Sequence, residues 1–132
     1  MFGFGPSKPR VLHVDDNAES RALVQDILAL LGYEAATAAS ALEGLKAAKA
    51  RPPALILMDA MMPEMDGFDA CQHLRRDPAL ASIPIIMMTS LERMADVEQA
   101  FAAGANDYLL KPVTVDRLRE KLAKFLGPAP KP

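Results

Sequence analysis

The sequence predicts an α/β fold in which one parallel β-sheet carries helices on both faces. Five short apolar or β-prone runs alternate with five segments of helical spacing, and such alternation requires parallel crossovers. The runs at residues 55–58 and 83–88 contain no charge, which is typical of strands buried on both faces. The second and fifth runs are weaker and are expected at the edges. This distribution favours the strand order 2-1-3-4-5 of a flavodoxin-like (βα)5 domain.

Each predicted element has its own start and stop signals. Strands are predicted at Arg10–Val14 and at residues 33–38, 55–58, 83–88 and 107–110. Helices are predicted to begin after Asn17, Ser40, Asp66, Ser90 and Thr114, and Ser40 forms a capping box with Glu43. Helix ends are predicted at Gly32, Arg51, Asp77, Gly104 and Gly127. The predicted core contains Leu12, Val14, Leu23, Ile27, Leu55, Leu57, Ile85, Met87, Phe101 and Leu118.

Length and composition narrow the class of protein. A chain of 132 residues with 51% hydrophobic content suits one domain with one core. We expect that domain at residues 10–126, between a flexible segment at 1–9 and a Pro-rich tail at 127–132. The net charge of −2, with both signs scattered, gives no footprint for direct nucleic-acid binding or an anionic membrane. A single cysteine excludes an internal disulfide. No run approaches the roughly 18 apolar residues of a membrane span, so a cytoplasmic protein without membrane insertion is expected.

Four of the five strands deliver a polar group to one edge of the sheet. These groups are Asp15 and Asp16 after the first strand, Asp59 after the third, Thr89 after the fourth and Lys111 after the fifth. Open α/β sheets bind ligands at the carboxyl ends of their strands. Three carboxylates at one place repel one another unless a cation or a proton intervenes. Because oxygen ligands with room for water suit Mg²⁺, the set predicts a magnesium site.

The same edge is suited to phosphoryl transfer. Asp59 could act as a nucleophile that forms an acyl phosphate, while Lys111 and the Thr89 hydroxyl would hold the transferred oxygens. There is no Gly-rich phosphate loop, so ATP is not the expected donor. Structural alternatives remain open at this point: Asp59, Asp15 and Asp16 could cap turns, Thr89 could bond its own turn, and Lys111 could be a solvated surface residue.

From Val11 to Leu126 the chain resembles a receiver domain of the two-component response-regulator family. The motifs that carry the resemblance are Val14-Asp15-Asp16, Met-Asp-Ala-Met-Met-Pro-Glu-Met-Asp-Gly at 58–67, Met88-Thr89-Ser90, Gly-Ala-Asn-Asp-Tyr-Leu at 104–109, and Lys111-Pro112. The resemblance covers nearly the whole predicted domain.

The resemblance implies a role for each residue at the site. Asp59 would be the phosphoacceptor, and Asp16 a direct Mg²⁺ ligand, with Asp15 acting partly through water. The main-chain carbonyl of Met61 would complete the protein's share of the metal site. The Lys111-Pro112 bond is usually cis in such domains.

The resemblance also implies a conformational switch. Phosphorylation would draw Thr89 inward and let Tyr108 follow, which changes the face formed by the fourth helix, fifth strand and fifth helix. We call this the output face. Plain edge-strand packing is the alternative for Tyr108. Docking on the output face would be tuned by Arg93, Asp96, Gln99 and Arg117.

The expected function is a stand-alone response regulator. It would take a phosphoryl group from a sensor histidine kinase or a histidine phosphotransfer protein, and then bind a downstream target as a monomer or a phosphorylation-dependent dimer. It would catalyse only its own phosphorylation and dephosphorylation. The alternatives are a phosphorelay shuttle or phosphate sink, a phosphorylation-independent pseudo-receiver that only binds partners, and an aspartyl-phosphate phosphatase. The phosphatase would need an acid where Met61 stands.

Two apolar residues predict slow hydrolysis of the acyl phosphate. Met61 and Leu91 each follow a site residue by two positions, and neither can orient a hydrolytic water. His13 lies inside the first strand and is expected to be a packed residue. His73 and Cys71 are assigned no role.

Overall fold

The computed structural model describes residues 8–90 and 94–128 and contains one five-stranded parallel sheet of order β2-β1-β3-β4-β5. The strands are β1 Arg10–Val14, β2 Glu34–Ala38, β3 Leu55–Asp59, β4 Ile85–Thr89 and β5 Asp107–Leu110. The helices are α1 Ala18–Leu30, α2 Ala41–Ala50, α3 Gly67–Arg76, α4 Met94–Ala102 and α5 Val115–Leu126. The predicted fold class and strand order are confirmed.

The sheet separates two layers of core. Alternate residues of each strand point to opposite faces, so Ile56 and Met58 pack with residues of α2, α3 and α4. Leu55 and Leu57 pack on the other face with residues of α1 and α5. All residues of β3 and β4 are buried, because both strands are interior to the sheet and covered on both sides.

Four helices begin at the caps that the sequence predicts. The side chains of Asn17, Ser40, Asp66 and Thr114 each accept a hydrogen bond from the backbone N–H three residues on. The Glu43 carboxylate reaches back to the Ala39 N–H at 3.0 Å, one residue before the donor of a standard capping box. These caps fix where α1, α2, α3 and α5 leave the carboxyl edge of the sheet.

The prediction of the core is wrong at two residues, which are exposed in the structure. Leu23 is 49% exposed and Phe101 is 47% exposed. The buried stripe of α1 runs through Val24, Ile27 and Leu28, so Leu23 lies at its border and faces a groove. Phe101 instead makes an edge-to-face contact with the Tyr108 ring, because Ala100 is the buried residue of α4.

Some predicted boundaries also differ. The fourth strand begins at Ile85 instead of residue 83, because Pro84 has no N–H for a ladder and the Ile83 carbonyl accepts from Arg75. Helix α4 is described from Met94, and residues 91–93 lie outside the described residues, so the predicted cap Ser90 stays a prediction. Most of the predicted terminal segments, 1–7 and 129–132, also lie outside them. Within residues 8–90 and 94–128, no helix is both long and apolar enough to cross a membrane.

Candidate functional site

The carboxyl ends of four strands converge on one edge of the sheet. Asp59 and Thr89 are the last residues of β3 and β4, and both are buried. Backbone hydrogen bonds continue the ladder there, from Asp15 N–H to the Ala38 carbonyl at 3.0 Å and from Lys111 N–H to the Thr89 carbonyl at 2.8 Å. The backbone therefore holds the residues after β1 and β5 beside the ends of the inner strands.

Lys111 joins two of the carboxylates that meet at this edge. Its Nζ lies 3.0 Å from Asp15 Oδ2 and 3.1 Å from Asp59 Oδ1. Oxygens of Asp15, Asp16 and Asp59 lie within 4.8 Å of one another, and the exposed Asp16 leaves the cluster open to solvent. The structure thus brings together four of the residues that the sequence predicts, and the Lys111-Pro112 peptide bond is cis, as expected.

Asp15 is held in its ionised form by the residues around it. Burial alone raises the pKa of this carboxyl, but contacts with the His13 ring, the Asn17 N–H, the Ser20 hydroxyl and the Lys111 ammonium outweigh burial and lower the pKa. The Asn17 N–H and Ser20 Oγ donate at 2.9 and 2.7 Å, and His13 Nε2 lies 3.4 Å from Asp15 Oδ2. Asp15 is therefore a fixed negative charge.

The pKa of Asp59 is shifted in the opposite direction to that of Asp15. Burial and the negative charge of Asp15 raise the pKa of the Asp59 carboxyl, and Lys111 and the Met61 backbone offset this only in part. For Lys111, burial opposes the charge, yet the two carboxylates raise its pKa. The site therefore carries more negative charge than its lysine balances. A hard cation would relieve the repulsion, and three carboxylates open to water are a donor set that fits one.

Gly67 allows the first turn of α3 to approach the end of β3. A Cβ at this position would lie 2.2 Å from the Asp59 carbonyl oxygen, and the Gly67 N–H donates to the Ala60 carbonyl at 2.9 Å. The sequence predicts a helix start here from Asp66 and Gly67, but gives no sign of this contact with Asp59.

The remaining predicted residues lie around the cluster. Met61 is 59% exposed just beyond Asp59, and whether its carbonyl binds a metal stays a prediction. Tyr108 is half-buried on β5 and lies on the same sheet face as Thr89, because Met87 pairs with Tyr108 in the ladder. Leu91 and Arg93 lie outside the described residues. His13 is fully buried, as expected.

Sequence reasoning missed the supports of Asp15. The Arg21 guanidinium donates to the Asp15 main-chain carbonyl at 2.8 Å, and Ser20 bonds its carboxylate. Both residues lie in the first turn and a half of α1, whose cap Asn17 was predicted. The helical position of Ser20 and Arg21 just after Asp15 is the signal that could have found them.

A groove of about 440 Å³ adjoins the carboxylate cluster. Asn17, Ser20, Leu23 and Val24 of the α1 region form one wall, and Ser90, Lys111, Pro112 and Val113 form the other. The exposed Leu23 is therefore part of an apolar approach to the site.

Fold and site together define a class of signalling module, a doubly wound α/β domain with an acidic pocket typical of phosphoacceptor sites at the carboxyl edge of its sheet. The family model described as "Response regulator receiver domain" matches residues 11–123. The chain belongs to the response regulator receiver family of two-component systems.

Individual relatives agree with this assignment. The chain is 39% identical over 118 residues to the DNA-binding dual master transcriptional regulator RpaA of Synechocystis sp., an alignment that covers 89% of this chain and 49% of that protein. The chain thus spans about half the length of such curated relatives.

Solved structures are similar over nearly the whole fold. The Vibrio cholerae chemotaxis protein CheY4 superposes with a TM-score of 0.87 at 32% identity, covering 91% of this chain and 100% of that one. The receiver domain of the sensor histidine kinase PA1611 from Pseudomonas aeruginosa PAO1 has a TM-score of 0.85 at 30% identity, covering 92% and 99%. That structure contains a magnesium ion coordinated in its active-site cleft.

Proposed function

We propose that this chain is a phosphoreceiver, in which Asp59 accepts a phosphoryl group from a phosphohistidine and the output face, formed by α4, β5 and α5, then changes its preference for partners. The observation that carries the proposal is the position of Lys111 Nζ, about equally far from Asp15 and Asp59, with the Asp16 carboxylate beside them. A half-buried lysine between carboxylates at the carboxyl edge of a sheet is suited to bind an incoming anion.

The proposed reaction is a single displacement at phosphorus. One oxygen of the ionised Asp59 carboxylate forms a bond to phosphorus, while the bond from phosphorus to the donor's imidazole nitrogen breaks and its electron pair returns to that nitrogen. Negative charge gathers on the three transferred oxygens. Lys111 and the Thr89 hydroxyl are the groups we assign to those oxygens.

Mg²⁺ is the cation that we assign to Asp15, Asp16 and Asp59, together with the Met61 carbonyl. Hard oxygen ligands and open access to water fit this ion, and the magnesium bound in the cleft of the PA1611 receiver domain supports the assignment. When bound, the metal would neutralise charge on the phosphoryl oxygens. The protein's own part is to keep Asp15 ionised through Ser20, Asn17 and Lys111.

Thr89 and Tyr108 are proposed to connect the site to the output face. The two side chains share one face of the sheet on neighbouring strands, so an inward shift of Thr89 frees space on the side where Tyr108 lies. On this surface Gln99 and Arg117 are exposed and Asp96 is half-buried, and we expect these residues to tune docking. A sensor histidine kinase or a histidine phosphotransfer protein is the proposed donor.

The test is intact mass spectrometry after incubation with a small acyl phosphate, with and without Mg²⁺. Wild type should gain the mass of one phosphoryl group only with Mg²⁺, and Asp59→Asn should gain none. Asp26→Asn is the matched control, because it makes the same chemical change at an exposed carboxylate of α1 and should leave the adduct unchanged.

The adduct experiment, repeated with an added phosphotransfer protein and with the consumption of acyl phosphate followed over time, separates the alternative functions. A folded wild type that forms no adduct in any condition would contradict the proposal and favour a pseudo-receiver that only binds partners. An adduct that passes on to the histidine of a phosphotransfer protein would identify a shuttle or phosphate sink. Repeated turnover of the acyl phosphate at the site would instead indicate a phosphatase.

A further inference from the structure

Tyr108 is held at the surface by two aromatic-ring contacts. Its ring meets Phe101 edge-on, with centroids 6.2 Å apart and an interplanar angle of 88°. The Nζ of Lys121, one turn before the end of α5, lies 5.5 Å from the centre of the Tyr108 ring. A cation over an aromatic face is attracted by the ring's electron density. The ring also lines a surface groove with Arg117 and Glu120, and we call this position outward. Both contacts favour it over any position in which they are lost.

Lys121 is itself anchored by a buried carboxylate. Its Nζ lies 3.0 Å from Oδ1 of Asp107, whose side chain is only 6% exposed. The same Oδ1 accepts the Tyr108 N–H at 2.8 Å, so the carboxylate fixes both the backbone of Tyr108 and the cation above its ring. An anchored ammonium loses less conformational freedom in contacting the ring than a free lysine would.

We propose that Lys121 is a positioning residue that holds Tyr108 in its outward conformation and thereby sets how readily the output face switches. This inference rests on the proposed function, since it assigns a control to the switch described there. If the ring moves inward on phosphorylation, the contact with Lys121 is lost. Removing that contact should raise the population of the inward state relative to the outward state about two- to fivefold. This factor corresponds to the usual free energy of an exposed cation–π contact.

The chain provides a matched control on the same carboxylate. Lys124 Nζ lies 2.9 Å from Oδ2 of Asp107, but it stands 5.4 Å from the ring of Phe125 and not over Tyr108. Lys124→Met therefore removes an ion pair to Asp107 and leaves the Tyr108 contact in place. Lys121→Met removes both an ion pair and the ring contact, and Lys121→Arg keeps both.

Reciprocal coupling gives the first readout. A variant that favours the inward ring should bind a phosphoryl mimic more tightly by the same factor. We would titrate Mg²⁺-loaded protein with beryllofluoride, a reversible mimic of a carboxylate-bound phosphoryl group. Lys121→Met is expected to bind two- to fivefold more tightly than wild type, while Lys124→Met and Lys121→Arg match wild type. Thermal melts confirm that each variant is folded.

Fluorine NMR gives the second readout, at the ring itself. The chain has only two tyrosines, so protein labelled with fluorotyrosine gives two signals, and Tyr33→Phe assigns them. The free and the beryllofluoride-bound wild type define two chemical shifts of the Tyr108 signal. Without beryllofluoride, the Tyr108 signal of Lys121→Met should lie closer to the bound shift than that of Lys124→Met.

The outcomes distinguish the two proposals. Equal affinities and equal ring positions in Lys121→Met and Lys124→Met would overturn the role of Lys121 and leave the phosphoreceiver intact. A wild type that binds no beryllofluoride with Mg²⁺ would overturn the phosphoreceiver, and the switch role of Lys121 with it.

Discussion

Lys111 is the residue on which the electrostatics of the site depend. Its ammonium group contacts Asp15 and Asp59 at 3.0 and 3.1 Å, yet one positive charge faces three carboxylates. Burial raises the pKa of the Asp59 carboxyl, and the negative charge of Asp15, which Lys111 offsets only in part, raises it further. In the absence of a metal, the site is thus a source of instability that ligand binding can relieve.

We therefore expect Asp59→Asn to stabilise the metal-free protein by about 1–2 kcal/mol at neutral pH, since it removes a buried charge that is not fully compensated. Because the folded pKa of Asp59 lies above its unfolded value, the cost of ionisation is complete above the folded pKa and vanishes below the unfolded one. The advantage of Asn should therefore disappear as the pH falls below about 4. Thermal melts of both proteins between pH 3 and 8 measure it.

The effect of Mg²⁺ on the melting temperature tests the same charge imbalance in a second way. Mg²⁺ should raise the melting temperature of the wild type through selective binding to the folded state, and raise that of Asp59→Asn much less. Asp26→Asn should follow the wild type. If Asp59→Asn is the less stable protein without metal, the proposed charge imbalance is wrong.

The side chain of Met61, two residues beyond Asp59, cannot itself orient a water molecule. Its side chain is apolar and 59% exposed. Combining Met61→Asn with Leu91→Glu, a position chosen from sequence alone, should shorten the lifetime of the acyl phosphate by about tenfold, because water would then be positioned for attack. Decay of the phosphorylated mass measures the lifetime. Met61→Leu should leave it unchanged, and an unaltered lifetime in the double variant would show that hydrolysis is limited elsewhere.

At the level of elements, Arg75 connects α3 to the loops before β4 and β5. Its guanidinium donates to the carbonyls of Ala81, Ile83 and Gly104 at 2.9, 2.7 and 2.8 Å, and to Asn106 Oδ1 at 2.6 Å. Gly104 is in the left-handed region at φ 108°, and a Cβ there would lie 2.6 Å from the Arg75 Cγ. Arg75 thus links α3 to the segments that enter β4 and β5, at the edge of the sheet opposite the carboxylate cluster.

Arg75→Met should lower the free energy of unfolding by about 2–4 kcal/mol, because three carbonyls lose a charged donor. Arg76→Met is the control, since Arg76 is exposed on the same turn and should cost only about 0.5 kcal/mol. Urea unfolding measures both, with the slope expected to stay constant. Equal midpoints for the two variants would rule out a structural role for the Arg75 contacts.

Elements were predictable from sequence where local chemistry decides them. Asn17, Ser40 and Thr114 start helices as predicted because a cap needs only its own turn. The strand order followed from the uncharged runs at β3 and β4. Leu23 and Phe101 were misplaced because helical spacing identifies an apolar stripe but not its border, which depends on how the helix packs on the sheet.

Across the whole molecule, the buried Asp107 should contribute to acid sensitivity. Burial raises the pKa of this carboxyl, but Lys124, Lys121 and the Tyr108 N–H outweigh it and lower the pKa. A lowered folded pKa gives stability that is complete above the unfolded value of about 4 and is lost as the pH falls through the folded value.

Asp107→Asn should consequently be less stable than wild type at pH 7, by about 1–3 kcal/mol, and the difference should shrink towards pH 3. Urea unfolding at a series of pH values measures the difference. A difference that stays constant with pH would show that shape, and not charge, explains the loss.

The main residues of the candidate site, like the helix starts and the strand order, were predictable from the sequence. Parallel topology brings strand ends together, so Asp15, Asp59 and Lys111 could be placed near one another from their positions after strands. Ser20 and Arg21 lie in the first turn of the helix after Asp15, so helical spacing places them near it without showing that they bond it. The contacts of Lys121 and Lys124 with Asp107 depend on side-chain reach between α5 and β5, which no periodicity encodes.

The most direct test is to locate the phosphoryl group on the chain. Protein treated with a small acyl phosphate and Mg²⁺ is reduced with borohydride, which converts a phosphorylated aspartate to homoserine, and is then digested and sequenced by mass spectrometry. We expect homoserine at position 59 and nowhere else, and none when Mg²⁺ is omitted. Homoserine at position 15 or 16, or phosphate retained on His13, would contradict the assignment of Asp59 as the acceptor.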